Sequence, residues 1–402
     1  MKTYFLVNGL KVMLDKRPGN SVAVEVNVRT GSNNETRRIA GISHYVEHML
    51  FNGTKKRPKA MQIANEIEKL GGEFNAATSN ERTFYYIKVL HRHLDVALDI
   101  MSDIIFNPLF DEATAEKEKS ILLDEINLVN DQPRYYQWIL FEKSLFRKHP
   151  CRNPVYGSAE SIKAIKRKDL VDYHSKYYVP GNMTLVISGN FEDSAIDKVH
   201  KFFSGAKKAD VPEHKKVIEP DQKIIRIVKE KRNISQSYMV IGYKTQTRSH
   251  PDSYVLDVIR AILGRGQSGK IFDEVRNKLA LAYDVGVYHN PNADYGFFAV
   301  YSSTNKRNVM RIVEIVLGQF RSLAETSENE LQEAKGFLEG EFLLHTDDNQ
   351  KRADVLAFWD MAGEGKVGSY IDSIRKVTNE DVRRVAKAYL KDTYTLVILE
   401  QK

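Results

Sequence analysis

The chain has 402 residues, of which 42% are hydrophobic, and a formal net charge of +7 from 60 basic and 53 acidic residues. This length exceeds a single ordinary core, so two or more domains are expected, and no apolar stretch is long enough to cross a bilayer. Charges of both signs are spread along the chain, which argues against a nucleic-acid-binding stripe.

The N-terminal segment and the cysteine content indicate the compartment. Residues 1–7 are typical of a strand that turns at Asn8-Gly9, so we expect no signal peptide. The single cysteine, Cys151, can form neither an internal disulfide nor a cysteine-based metal cluster. We therefore predict a cytoplasmic, reduced protein without a membrane segment.

The first segment that indicates chemistry is GISHYVEHMLFNGT, residues 41–54. His44 and His48 are four residues apart, so on a helix both imidazoles lie on one face, and Glu47 can reach the same edge. Two imidazoles and a carboxylate, with a fourth position open, form a catalytic zinc site. H-x-x-E-H is the inverted zincin motif, in which a carboxylate next to the metal takes a proton from water.

A third ligand has to come from another segment. The best candidates lie in the helical pattern of residues 116–128, where Glu118 and Glu125 are seven residues apart and share one face. Either carboxylate can bind the metal while the other holds a ligand in place. The spacing alone does not choose between them.

Two segments of the chain repeat each other. Residues 160–191 align with residues 372–402, and Tyr177 falls on Tyr389 at an offset of 212. Each copy is typical of a capped helix followed by an apolar, β-branched strand. Strands come first in each half, long helices follow, and a helix and a strand close it, which favours an α+β layer.

We therefore predict an α+β protein of two tandem homologous domains, each a mainly antiparallel sheet with helices packed on one face. The polar stretch 206–222 contains two prolines and is the predicted linker. The predicted domains are residues 1–205, which carry the zinc motif, and residues 223–402, which lack it.

A glycine-rich segment in the second half resembles a nucleotide-binding loop only superficially. Gly264, Gly266 and Gly269 fit G-x-G-x-x-G, but a helical pattern rather than a strand precedes them. Ile271 stands where a P-loop needs Ser or Thr. Nucleotide binding is not expected.

Residues 41–54 resemble the zinc helix of the pitrilysin, insulin-degrading enzyme and mitochondrial processing peptidase family, and the resemblance covers nearly the whole chain. The family's third ligand is a glutamate about 75 residues after the second histidine, and Glu125 follows His48 by 77. The resemblance implies one zinc ion per chain on His44, His48 and Glu125, with Glu47 as general base and Glu118 in support.

The same resemblance implies residues that bind substrate. Phe74, Asn75 and Ala76 lie in a stretch similar to the family's edge strand, which hydrogen-bonds an extended peptide. Arg276 and Tyr283 resemble the substrate-binding pair of the C-terminal half. An Arg fork suits a carbonyl, and a Tyr hydroxyl can stabilise an oxyanion, which gives Tyr283 a catalytic role.

These observations predict a zinc endopeptidase that cleaves unstructured peptides or presequence-like segments inside a chamber. The family builds that chamber from four such domains, so we expect a homodimer whose active site is shared between subunits. One alternative is a non-catalytic relative that acts as a scaffold or presents peptides. Another is an enzyme that requires a different partner chain.

Overall fold

The structure, a computed structural model, describes residues 1–214, 216–363 and 369–402. The strands are β1 (Lys2–Phe5), β2 (Lys11–Lys16), β3 (Ser21–Val28), β4 (Glu73–Thr78), β5 (Thr83–Leu90), β6 (Met183–Gly189), β7 (Arg226–Arg232), β8 (Ser237–Lys244), β9 (Ala282–Pro291), β10 (Gly296–Thr304) and β11 (Thr395–Gln401).

The helices of the first half are α1 (Ile42–Leu50), α2 (Ala60–Glu68), α3 (Leu94–Phe106), α4 (Glu112–Asp131), α5 (Pro133–Leu145), α6 (Ala159–Ala164), α7 (Arg167–Tyr177) and α8 (Ala195–Phe203). Those of the second half are α9 (Asp252–Gly264), α10 (Lys270–Phe272), α11 (Val309–Ser322), α12 (Glu328–His345), α13 (Asn349–Met361), α14 (Ser369–Lys376) and α15 (Asn379–Tyr389). A π-helix, Asp273–Lys278, continues α10.

The strands form two sheets with the same topology. Their orders are β1-β2-β6-β3-β5-β4 and β7-β11-β8-β10-β9. In each sheet the strand closest to the C-terminus, β6 or β11, is parallel to one neighbour and antiparallel to the other. Apart from β1 the two orders are equivalent, which confirms the predicted tandem α+β copies with mainly antiparallel sheets.

The described residues form two compact units, each assembled from three stretches of chain. Unit 1 comprises the described residues of Met1–Asn127, Asn153–Lys215 and His345–Met361. Unit 2 comprises those of Leu128–Arg152, Lys216–Leu344 and Ala362–Lys402. The predicted boundaries treated each domain as one continuous stretch, whereas α5 belongs to unit 2 and α13 to unit 1.

The two faces of the first sheet explain this exchange. Along β3 the even-numbered valines, from Val22 to Val28, join the main core with residues of α1, α3 and α7. Glu25 and Asn27 point to the opposite face, where α13 packs on β3 and β6. The expectation of helices on one face therefore describes the main core, and α13 additionally covers the other face.

Helix α5 packs on a face of the second sheet as α13 packs on the first, but through apolar contacts. Phe141 and Leu145 of α5 cluster with Val240, Phe297 and Val397 of the sheet, and all of them are buried. Because this cover comes from residues before the predicted linker, a continuous division cannot describe unit 2.

The stretch 206–222 contains no helix or strand among its described residues, and both of its ends are tied down. In unit 1, His214 Nε2 lies 3.2 Å from Asn182 Oδ1. In unit 2, the Glu219 carboxylate accepts hydrogen bonds from three consecutive backbone N–H groups, those of residues 147–149. The stretch is therefore held by specific hydrogen bonds although it is irregular.

Candidate metal centre

Helix α1 carries an apolar face and a face with two imidazoles. The rings of His44 and His48 are 4.6 Å apart, and their side chains are 12% and 20% exposed. The buried positions of the helix are Ile42, Ser43, Tyr45, Val46, Met49 and Leu50. The core therefore holds one side of α1 and leaves the histidines on the other.

The N-terminus of α1 is capped by a buried carboxylate. Glu35 accepts hydrogen bonds from the backbone N–H groups of Gly41 at 2.6 Å and Ser43 at 2.8 Å, and from the Ser43 hydroxyl at 2.7 Å. Burial raises the pKa of Glu35 to about 7, although these hydrogen bonds oppose the shift. Gly41 has a φ of +90°, which side chains with a Cβ rarely adopt. The cap thus fixes the helix just before His44.

Helix α4 brings Glu125 to the two histidines. Glu125 Oε2 lies 3.6 Å from His44 Nε2 and 3.7 Å from His48 Nε2. Tetrahedral ligands on zinc, at bond lengths of about 2.0–2.1 Å, stand about 3.3 Å apart. Burial and the neighbouring His48 lower the pKa of His44 to about 3, which keeps this imidazole neutral, as a ligand has to be. The three residues fit a zinc ion.

Glu118 lies two helical turns before Glu125 on α4 and contacts the other ring nitrogen of His48. Its Oε2 lies 3.3 Å from His48 Nδ1, and its Oε1 accepts a hydrogen bond of 2.9 Å from Asn52. Asn52 also donates to the backbone carbonyl of His48 at 3.0 Å. The hydrogen bond with His48 lowers the pKa of Glu118. A carboxylate on Nδ1 directs the Nε2 lone pair towards a metal, so the geometry separates Glu118 from Glu125 where spacing did not.

Glu47 lies beside this group on the same helix. Its Oε2 accepts a hydrogen bond of 2.5 Å from the Thr78 hydroxyl at the end of β4. Burial raises the pKa of Glu47, while the hydrogen bond from Thr78 and the charge of His48 oppose the shift. A carboxylate with a raised pKa is suited to accepting a proton.

The predicted substrate strand is β4, at one edge of the first sheet. Its residues alternate, with Phe74 and Ala76 half-buried and Asn75 exposed. The Phe74 ring packs 5.3 Å from Phe51, directly after α1. Asn75 Oδ1 accepts the backbone N–H of Ala76 at 2.9 Å. The structure therefore places all three predicted residues beside the zinc helix.

Arg276 and Tyr283 lie together in unit 2. The Arg276 guanidinium stands 4.2 Å from the centre of the Tyr283 ring and 5.0 Å from that of Phe272. Arg276 belongs to the π-helix, Tyr283 lies near the start of β9, and the Tyr283 side chain is 75% exposed. The two predicted residues form a stacked pair whose hydroxyl end is accessible.

Sequence reasoning missed four residues around the metal centre. Glu35 caps α1, Asn52 holds Glu118, Thr78 holds Glu47, and the Tyr156 ring stands edge-on to His44 with centroids 5.1 Å apart. Only Asn52 had a local signal, because it follows His48 by one helical turn.

Among the described residues, the helices lack the combined length and apolarity needed to cross a membrane. The fold and the site together define a protein of two tandem α+β domains in which one domain carries an inverted zincin motif.

Two family models match consecutive parts of the chain. Residues 11–159 match the family described as Insulinase (Peptidase family M16). Residues 164–338 match the domain described as Peptidase M16 inactive domain. All of the zinc-motif residues fall in the first match.

Relatives extend over nearly the whole length. A Bacillus subtilis protein named an uncharacterized zinc protease is 30% identical over 405 residues, which cover 99% of this chain and 98% of the relative. A Mycobacterium leprae protein of the same description is 30% identical over 410 residues, with 98% and 90% covered. The chain belongs to peptidase family M16.

Solved structures share the fold. A protease from Helicobacter pylori superimposes with a TM-score of 0.93 at 24% identity and covers 99% of both chains. A Pseudomonas fluorescens structure, described as a peptidase M16 inactive domain, has a TM-score of 0.90 at 21% identity and covers 100% of this chain and 98% of its own.

Proposed function

We propose that this protein is a zinc-dependent endopeptidase that cleaves unstructured peptides or presequence-like segments. The observation that carries the proposal is the convergence of His44, His48 and Glu125 on one point with Glu47 alongside. The chain's relatives, named zinc proteases, support the same chemistry. A cytoplasmic location remains a prediction from the single cysteine.

In this proposal each residue of the metal centre has a separate role. His44, His48 and Glu125 would hold a zinc ion, which when bound would polarise the scissile carbonyl and lower the pKa of water. Glu47 accepts a proton from the attacking water and delivers it to the leaving amine. Glu118 keeps His48 oriented through its Nδ1 hydrogen bond.

Substrate is held by two further groups. The edge strand β4 hydrogen-bonds an extended peptide at Phe74, Asn75 and Ala76. Arg276 offers a fork to a substrate carbonyl, and the exposed Tyr283 hydroxyl stabilises the developing oxyanion. We place these groups in a homodimeric chamber, where the zinc site of one subunit works with Arg276 and Tyr283 of the other.

The test compares peptide cleavage by the wild type and by Glu47→Gln, with mass spectrometry of the products. The wild type should make internal cuts that disappear with a chelator and return with added zinc. Glu47→Gln should retain its zinc and lose about 10²–10⁴-fold in rate, the usual contribution of general acid–base catalysis. Glu116→Gln, at a largely exposed position of α4, is the matched control and should cut normally.

Each outcome separates the alternatives. A zinc-loaded dimer that makes no cuts would favour a non-catalytic relative that binds or presents peptides. An inactive monomer that gains activity when a second chain is added would favour an obligate partner. Cuts that persist in Glu47→Gln would contradict the role of Glu47.

A further inference from the structure

The side chain of Thr78 reaches Glu47 because of its position in β4. Alternate residues of this strand, Phe74, Ala76 and Thr78, face the same side of the sheet. The Phe74 ring on that side packs beside Phe51, which directly follows α1. Thr78 is the last residue of the strand, and its hydroxyl lies 2.5 Å from Glu47 Oε2.

The neighbouring hydroxyls fix the direction of this hydrogen bond. Thr83, opposite Thr78 in β5, is fully buried and donates its hydroxyl proton to the carbonyl of Thr30 at 3.0 Å. Thr78 Oγ1 lies 3.4 Å from Thr83 Oγ1, a longer contact than the one with Glu47. An ionised carboxylate has no proton to donate, so the single hydroxyl proton of Thr78 goes to Glu47.

Glu47 needs such a partner because the last torsion of a glutamate is broad. A hydrogen bond to Oε2 selects one orientation of the carboxylate and leaves Oε1 to accept a proton. Glutamate bases work at full rate only when their oxygen is held close to the productive position. Thr78 supplies this restraint, and its own position is fixed because it pairs with the fully buried Thr83 of β5.

We propose that Thr78 is the positioning residue of Glu47, so that the strand that receives the peptide also orients the base. The proposal rests on the proposed peptidase function. Ala76 and Thr78 are two residues apart, about 6.8 Å along a strand. A peptide paired with β4 at Ala76 is therefore placed in a fixed register relative to Glu47.

The first test replaces Thr78 by valine, which keeps the shape and removes the hydroxyl. For Thr78→Val we expect kcat to fall about 10–100-fold, the scale of a misplaced catalytic group, with KM unchanged. Thr78→Ser restores the hydroxyl and should recover most of kcat. Zinc content and thermal unfolding should match the wild type in both variants, which separates positioning from a loss of structure.

The matched control is Thr114→Val. Thr114 also donates its hydroxyl to a carboxylate, that of Asp111 at 2.8 Å, at an exposed site at the start of α4. This variant should keep wild-type kcat. If Thr78→Val also keeps wild-type kcat while Glu47→Gln is inactive, the positioning role is wrong and the peptidase proposal stands.

A second measurement does not depend on cleavage. A crystal structure of the zinc-loaded wild type should show the Glu47 carboxylate in one orientation. A crystal structure of zinc-loaded Thr78→Val should show it in several. A single, unchanged orientation in Thr78→Val would overturn the proposal, even if no peptide substrate were cleaved by either protein.

Discussion

The second domain can be compared with the first at the positions of the metal ligands. Helix α9 follows β8 as α1 follows β3, and the repeat offset of 212 places His48 on Arg260. Arg260 forms an ion pair with Glu341 of α12, whereas the same offset places Glu125 on Phe337. The counterpart of His44 is Leu256, which is fully buried. At the position that the offset assigns to His48, the second domain thus carries a guanidinium paired with a carboxylate.

This correspondence predicts that a metal site can be built in the second domain. Leu256→His with Arg260→His places two imidazoles four residues apart on α9, and Glu341, now the ion-pair partner of Arg260, offers a carboxylate nearby. We expect the zinc content measured by mass spectrometry to rise by one ion per chain. Adding Glu341→Gln should remove the extra ion, and an unchanged zinc content in a folded double variant would contradict the equivalence of the two helices.

Prediction from sequence worked best for residues that are close in the chain. His44, Glu47 and His48 follow from one helical turn, because their spacing alone places them on one edge. The choice between Glu118 and Glu125 depends on where α4 crosses α1, and Glu125 Oε2 is the atom that meets both Nε2 atoms. The spacing does not contain that information; the family resemblance implied Glu125, and the tertiary structure brings its Oε2 to both imidazoles.

At the scale of elements, α5 and α13 cover their sheets by different forces. Trp138 of α5 packs edge-on to Tyr301 of β10, with ring centroids 5.6 Å apart, beside an apolar cluster. By contrast, α13 meets the first sheet through polar groups, among them Asp354, which pairs with Arg82 at 2.6 Å. The fully buried Glu25 lies beneath α13, where burial and the charge of Asp354 raise its pKa and Arg82 opposes the shift.

Arg82 should therefore be the residue on which the docking of α13 most depends. Arg82→Met leaves the buried Glu25 and the partly exposed Asp354 as neighbouring carboxylates without their cation, and leaving a buried polar group without its partner costs about 1–3 kcal/mol in free energy of unfolding. The two tryptophans report separately, since Trp359 lies on α13 and Trp138 on α5. In a Trp138→Phe background, urea unfolding followed by Trp359 fluorescence should show that Arg82→Met lowers the free energy of unfolding.

The same network sets a pH dependence. The raised pKa of Glu25 means that the folded protein holds this proton more tightly than the unfolded chain, whose value is about 4.5. Its contribution to stability is complete below pH 4.5 and is lost as the pH rises through the folded-state pKa. Arg82→Met removes a charge that lowers this pKa and should enlarge the loss, and adding Glu25→Gln should abolish it. If the stability of Arg82→Met did not depend on pH, the assignment of this effect to Glu25 would be wrong.

The repeat predicted the elements better than their partners. Alignment of residues 160–191 with residues 372–402 predicted the equivalent strands β6 and β11, which the two sheet orders confirm. The exchange of α5 and α13 left no trace in the sequence, because the pattern of a helix shows which face is buried but not which sheet buries it. In the same way, the composition of residues 206–222 did not predict the hydrogen bonds of His214 and Glu219.

At the scale of the whole molecule, the residues proposed for catalysis are divided between the two units. The zinc ligands and Glu47 lie in unit 1, and Arg276 and Tyr283 lie in unit 2. A site shared across a twofold axis and a site completed within one chain require the same residues. They differ in what happens when two defective chains are combined in one dimer.

Mixing Glu47→Gln with Tyr283→Phe distinguishes these arrangements. Each variant alone should be crippled, because one lacks the base and the other the oxyanion donor. In a random mixture half of the dimers contain both variants, and a shared-site dimer of this kind has one intact site of two. Activity should then return to about one quarter of the wild-type value for a twofold-symmetric dimer.

The control replaces Tyr283→Phe by Tyr135→Phe, at an exposed tyrosine of α5, and native mass spectrometry should count the mixed dimers. Under the shared-site arrangement Tyr135→Phe is fully active alone, while Tyr283→Phe contributes activity only after mixing with Glu47→Gln. If mixed dimers form and remain inactive, each chain completes its own site, because every chain in the mixture then carries one defect.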